Sequence, residues 1–185
     1  APLARRAETA LAAMGVRPAL GRTEPPPLPP PLQPPPPVRA LGDGPFLEAG
    51  PTWIVGSGDQ VVAVDGAEPR WTFRPRGERV LDLERQGDGV LVWTDRALHR
   101  LTLEGGRRTG RVLLPRPLAA RARAGAHALV HDGEELTRVE LDPPRLGPRL
   151  RLTGVRALRP SGAAIRVELD DGFAFLVDPS AFGPG

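Results

Sequence analysis

The chain of 185 residues contains no cysteine, no lysine, no asparagine and no tyrosine, and aromatic residues make up only 4% of it. Without cysteine, disulfides play no part and the redox compartment stays open. No run of about 18 apolar residues occurs, so no segment reads as a membrane-spanning helix. All 25 basic residues are therefore arginine, a bias that points first to a GC-rich genome. The loss of Asn and Cys also suits a heat-loving source, whereas the missing Lys runs against the usual hyperthermophile trend. The pI of 10.9 follows from this composition, because Arg titrates very late and no Lys or Tyr lowers the value. Net charge is only +3, with 22 acidic residues against 25 basic ones, which describes a mixed surface and not a polyanion-binding one.

What the chain does have is sharply divided. Residues 1–21 read as a short N-terminal segment, 22–38 as a proline-rich linker and 39–185 as a β-repeat domain. Ala4–Met14, with Leu3, Ala7, Leu11 and Met14 at helical spacing, predicts about three turns of helix, stopped by Gly15 and Pro18. Such a helix is marginal alone and must dock or fray, as a disordered terminus, a docking peptide or the tail of an anchor. The start Ala1-Pro2-Leu3 is expected to be a mature end left by a removed signal peptide or a boundary after a membrane anchor, either of which places the protein in the bacterial envelope. Trimming of a longer chain is the alternative. In Pro25–Pro37 ten of thirteen residues are proline, interrupted by Leu28, Leu32 and Gln33. That run settles into polyproline II, a semi-rigid rod of roughly 40 Å at about 3.1 Å per residue. It is a spacer, or a ligand that offers Leu28 and Leu32 to an aromatic groove on a partner.

From Val38 onward the pattern is all β. Four segments share an apolar strand ending in an acid: Val62-Ala63-Val64-Asp65, Leu101-Thr102-Leu103-Glu104, Val139-Glu140-Leu141-Asp142 and Phe175-Leu176-Val177-Asp178, at steps of 39, 38 and 36 residues. A strand and turn precede each, and further strands follow at Arg70–Phe73, Arg111–Leu114 and Arg149–Leu152 and open the next unit at Val80–Leu83, Ala119–Ala124 and Val155–Leu158. Periods near 40 with about four strands each indicate propeller blades or a comparable array.

VVAVDGAEPRWTF resembles a PQQ-type propeller repeat, in which an apolar strand, an Asp turn and a Trp strand succeed each other. RLTLEGGRRTGRVLL keeps the outline, including Thr109-Gly110, with Val112 where the Trp would fall. The resemblance covers residues 46–178 and implies a small propeller-like array of about four short antiparallel blades used as a scaffold, as in the outer-membrane assembly propeller lipoproteins, which have about twice as many blades. An open curved sheet or a two-sheet barrel is the alternative. Closure of a small propeller predicts that the last unit, which lacks an outer strand before Pro179, borrows Pro45-Phe46-Leu47-Glu48. The quinone cofactor of the enzymes that named the repeat is not implied, and no cofactor is expected.

Candidate chemistry is thin. Histidines stand only at His99, His127 and His131, and the last two, on one strand, would lie about 13 Å apart, too far to share a metal. Ser57, Ser161 and Ser180 sit in no nucleophile elbow. Glu134-Glu135 and Asp170-Asp171 read as solvated turn tips, and Gly56-Ser57-Gly58 and Gly105-Gly106 open no helix that would cradle a phosphate. Arginine clusters are the remaining lead. Arg145, Arg149, Arg151, Arg156 and Arg159 fall within fifteen residues that contain no acid; Arg107, Arg108 and Arg111, with Arg121 and Arg123, form a second group.

The sequence therefore leads to a non-catalytic envelope scaffold or adaptor, plausible hosts being a type IV pilus, secretion or outer-membrane assembly machine. Partner contacts are expected at Arg145, Arg149, Arg151, Arg156, Arg159, Leu28 and Leu32, with homo-oligomers formed by strand pairing at exposed edges. A nucleic-acid-binding module using the arginine clusters is the alternative, and a propeller-based hydrolase the second.

Overall fold

A computed structural model describes residues 19–20 and 44–182. The expected helix at 4–14 and the proline run at 25–37 lie outside the described residues.

Sixteen strands make four separate antiparallel sheets of four strands each, not one continuous curved sheet and not two. The first sheet runs β2 (Phe46–Ala49), β3 (Thr52–Ser57), β4 (Gln60–Asp65) and β5 (Glu68–Phe73). The second runs β6 (Val80–Gln86), β7 (Gly89–Thr94), β8 (Ala97–Thr102) and β9 (Arg108–Leu113). The third runs β10 (Ala120–Ala124), β11 (His127–His131), β12 (Glu135–Leu141) and β13 (Pro144–Arg151). The fourth holds β14 (Val155–Ser161), β15 (Ala164–Leu169) and β16 (Ala174–Val177), and its outer strand is β1 (Ala19–Leu20).

Each acidic landmark marks the end of the third strand of a sheet, or the residues just beyond it, which is why the repeat was visible. The hairpins have a shared local cause. Gly58-Asp59, Gly66-Ala67, Gly87-Asp88, Gly125-Ala126 and Gly162-Ala163 each join two strands as a two-residue loop, with the glycine at positive φ and the second residue not. That is the type II′ geometry, whose twist matches the flanking strands and whose first position favours glycine. Strand composition separates inside from outside. Middle strand β7, GVLVWT, is buried along its whole length, whereas outer strand β9, RTGRVL, alternates between exposed and half-buried positions. A run covered on both faces carries apolar residues continuously, and an outer strand does not.

The described residues fall into two compact units, 44–115 and 116–182 together with 19–20. In the unit of residues 44–115 the first two sheets enclose Ile54, Val61, Ala63, Leu83, Val90, Val92 and Leu101. A second fastening joins those sheets. Trp71 on β5 donates its indole N–H to the carbonyl of Leu103 at 2.9 Å, and Gly106, at φ +62°, leaves the room that its ring needs. A Cβ at Gly106 would stand 2.5 Å from the ring. In the other unit Leu129, Leu136, Ile165, Val167, Leu169, Phe175, Val177 and Phe182 form the core. Phe182 is held there by the 3₁₀ turn Pro179–Ala181, which Asp178 caps by accepting the Ser180 N–H at 2.8 Å, and by Arg138, which donates to the Phe182 carbonyl.

One expectation is corrected. Phe46–Ala49 is not borrowed by the last sheet: it pairs with β3 in its own, Phe46 opposite Val55 and Ala49 opposite Thr52. The fourth strand of the last sheet is Ala19–Leu20, opposite Leu176 and Phe175. Two residues before a proline-rich run carry no alternation that would mark a strand.

Candidate functional site: an arginine-lined cleft

The five arginines singled out from the acid-free window do not form one open basic face. Arg145, Arg149 and Arg151 are on β13, and Arg156 and Arg159 are on β14 of the next sheet. Neighbouring strands supply the acids that the window lacks. Arg145 pairs with Glu140 on β12, and Arg149 stands 3.8 Å from Glu135. Arg156 and Arg159 both reach Glu168 at 3.3 Å, a buried carboxylate that Arg166 also meets. Of the set, only Arg151 has no ion-pair partner among the described residues. Leu28 and Leu32 lie outside them. In the second group, Arg123 donates to the Gly125 carbonyl, and burial pushes the Arg121 pKa down to about 10. His127 and His131 share β11 as expected. His131 is buried, its Nε2 within 2.7 Å of the Leu152 carbonyl and its Nδ1 accepting from the Gly133 N–H, so that ring is used up in holding the sheet edge.

The residues the structure does bring together lie in the unit of residues 44–115. The connection between β5 and β6 carries Arg74, Pro75, Arg76 and Glu78; Thr94 ends β7; His99 sits mid-β8, opposite Arg111 on β9. The connection is pinned by reciprocal bonds between Arg79 and Asp95, the Arg79 N–H to the Asp95 carboxylate at 2.8 Å and the Asp95 N–H to the Arg79 carbonyl at 3.0 Å. Glu78 is thereby carried inward to 5% exposure. Its Oε2 accepts from the Thr94 hydroxyl at 2.6 Å and from His99 Nε2 at 2.8 Å, and its Oε1 accepts from Arg111 at 2.6 Å. Phe73 packs edge-on to the His99 ring, centroids 5.2 Å apart.

These contacts fix the charges. Burial on its own would raise the Glu78 carboxyl, but hydrogen bonds from His99, Thr94 and Arg111 outweigh it and hold the pKa below the ordinary 4.5. For His99 burial is the largest influence and lowers the pKa from 6.5; the Glu78 carboxylate opposes it, and the positive charges of Arg111 and Arg108 add to the lowering. At neutral pH the site is a carboxylate bound by a neutral imidazole, whose Nε2–H donates and whose buried Nδ1 has no partner among the described residues. A ring whose N–H is spent on a carboxylate, with the other nitrogen buried, is a structural imidazole and not a base in waiting.

Above this floor opens a cleft of about 570 Å³ lined by Phe73, Arg74, Pro75, Arg76, Arg108 and Arg111. Four arginines and one carboxylate thus line the site. Arg111 is tied to Glu78 and yet 38% exposed, Arg74 leans on Gln60 at 3.3 Å, and Arg76 and Arg108 are exposed with no ion-pair partner among the described residues. Sequence reasoning found Arg108 and Arg111 in a cluster but missed Glu78 and Thr94 and gave His99 no role. Glu78 is separated from Thr94, His99 and Arg111 by 16, 21 and 33 residues, so no local motif announces the group.

No family model matches the chain, and no curated protein does. Solved structures do match in fold. The WD40 domain of Pan2 from Neurospora crassa superposes with a TM-score of 0.57 at 16% identity, covering 80% of this chain and 50% of that one. A chain of the mitotic checkpoint complex gives 0.55 at 13%, over 70% of this chain and 46% of that one. The computationally designed Ika4 protein gives 0.59 at 11%, over 71% and 88%. The chain therefore spans half or less of the Pan2 and checkpoint-complex chains. With WD40 repeats being a propeller architecture, the likeness shows an all-β, propeller-like array whose four sheets are its blades.

Proposed function

We propose that this chain is a non-catalytic scaffold or adaptor that presents its blades to protein partners. The observation that carries the reading is the array itself: four-stranded blades of the kind found in a WD40 domain and in a chain of a multiprotein checkpoint complex. Outer strands such as β9 offer exposed, mixed polar surface to a partner, while His99 and His131 are spent on hydrogen bonds to Glu78 and to the Leu152 carbonyl. The Trp71 strand, which carries the likeness to PQQ-type repeats, fastens one blade to the next, and this supports reading the repeats as PQQ-like. The proline tract at 25–37, set ahead of the β domain, supports a place in the cell envelope. There the chain would serve as an accessory subunit of a type IV pilus, secretion or outer-membrane assembly machine. The ion pairing of Arg145, Arg149, Arg156 and Arg159 weighs against the nucleic-acid reading, because a phosphate-tracking face needs unneutralised cations.

The test is cross-linking of the full chain to detergent-solubilised bacterial envelopes, with a cytosolic fraction and nuclease-treated samples alongside. Defined envelope assembly proteins captured at physiological salt are the expected result. Capture of nucleic acid alone, lost on raising salt, would overturn the reading.

A further inference from the structure

We infer that the cleft of Arg74, Arg76, Arg108 and Arg111 takes an acidic side chain of a partner polypeptide: an aspartate, a glutamate or a phosphorylated residue. This rests on the reading of the chain as a protein-binding module and names what one of its surfaces recognises.

The charge balance is the first argument. On the third and fourth sheets Arg145, Arg149, Arg156 and Arg159 meet acids on neighbouring strands, at Glu140, Glu135 and Glu168. Here four arginines line one cleft whose single acid is Glu78, already bound by Arg111, and Arg76 and Arg108 have no carboxylate among the described residues. An incoming oxyanion supplies the missing charge. Guanidinium groups suit it because their planar forks bind carboxylate or phosphate by two parallel N–H bonds. Preorganisation is the second argument. Glu78 fixes Arg111 from below at 2.6 Å, Gln60 steadies Arg74, and the connection between β5 and β6 is tied down through Arg79 and Asp95. Less side-chain freedom is then lost on binding.

Shape decides the class of ligand. At about 570 Å³ the cleft holds a side chain or two with their backbone, and Phe73 and Pro75 give it apolar wall for a neighbouring aliphatic group. A nucleic-acid strand needs a continuous basic track and free aromatic faces for stacking. Among the lining residues the ring of Phe73 already packs edge-on to His99. An acidic peptide with one aliphatic neighbour fits.

The experiment measures binding to the full chain by fluorescence anisotropy. The probes are a labelled peptide alternating Glu and Leu, a phosphoserine-containing counterpart and an oligo-dT strand, with inorganic phosphate as competitor. Arg76→Ala with Arg108→Ala removes two side chains that make no described ion pair, so folding is preserved; Arg96→Ala, exposed in the turn between β7 and β8 and outside the cleft lining, is the control. One or both peptides should bind, and the double variant should weaken them at least about tenfold, the loss of one charge-assisted hydrogen bond, with the control unchanged. Equal binding by the double variant would overturn the assignment, as would no binding of either peptide. Tighter binding of oligo-dT would do the same, and so would displacement of the peptides by phosphate at equal concentration, which would leave a free-anion site. If the double variant still captures the wild-type set of partners from envelopes, the cleft assignment fails while the scaffold reading stands. If the wild-type chain captures none, the scaffold reading itself fails.

Discussion

Glu78 shows how much one residue can hold. Its two oxygens serve a hydroxyl, an imidazole and a guanidinium drawn from three different strands. Replacing it by glutamine keeps the volume but puts an amide against at least one donor and leaves Arg111 without its counter-charge. Glu78→Gln should destabilise the protein by about 1–3 kcal/mol in urea titrations, as expected for a buried hydrogen-bond partner left unmatched. The same group dictates a pH response. Glu78 and His99 both titrate lower in the folded state than their ordinary values of 4.5 and 6.5. The unfolded chain therefore binds protons first as pH falls, and stability follows the protons. Their contribution is complete above about pH 6.5, declines as His99 of the unfolded chain protonates, and falls again below about pH 4.5. Denaturation midpoints across pH 3 to 8 would check this. In His99→Phe the upper of the two declines should vanish and the lower should shrink, because the hydrogen bond from His99 is the strongest influence holding the Glu78 carboxyl down against its burial.

At the scale of elements, the joint between the first two sheets is a tryptophan set against a glycine. Gly106→Ala adds a methyl where φ is +62° and where the Trp71 ring stands 2.5 Å away, so strain and collision add. The expected cost is about 1–3 kcal/mol. Trp71→Phe, which keeps a ring and loses the bond to Leu103, should cost about 1 kcal/mol. If the two positions form one joint, the double variant will cost less than the sum of the single ones, which a double-mutant cycle measures. The strands themselves were legible because many hairpins are written locally, in a Gly-X loop such as Gly58-Asp59 or Gly125-Ala126, and because the acidic landmark recurs at nearly constant spacing. What was hidden is whatever depends on register. An acid-free window around Arg145–Arg159 looks like a basic face until β12 and β15 bring Glu135, Glu140 and Glu168 alongside. For the same reason the cleft, assembled across three strands and a connection, left only Arg108 and Arg111 as a trace in the sequence.

For the whole molecule the decisive feature is where the chain's first strand goes. β1 covers the outer edge of β16, and that edge would otherwise present unpaired N–H and C=O groups. Removing residues 1–43 uncovers it. The shortened chain should associate in a concentration-dependent way, seen as a rising weight-average mass in analytical ultracentrifugation, while the full chain stays at constant mass over the same range. No change between the two would mean that β16 is protected by something other than β1.

The same strand has a mechanical meaning. In sequence the proline tract lies between β1 of the last sheet and β2 of the first. Tension applied through the N-terminus would reach the β domain first as a pull on the pairing of Ala19 with Leu176 and Leu20 with Phe175. A two-residue pairing yields long before a blade does. Under load the chain would give up β1 before any blade came apart, so the outer edge of β16 would be bared by force and covered again when the force is released: the pairing acts as a fuse.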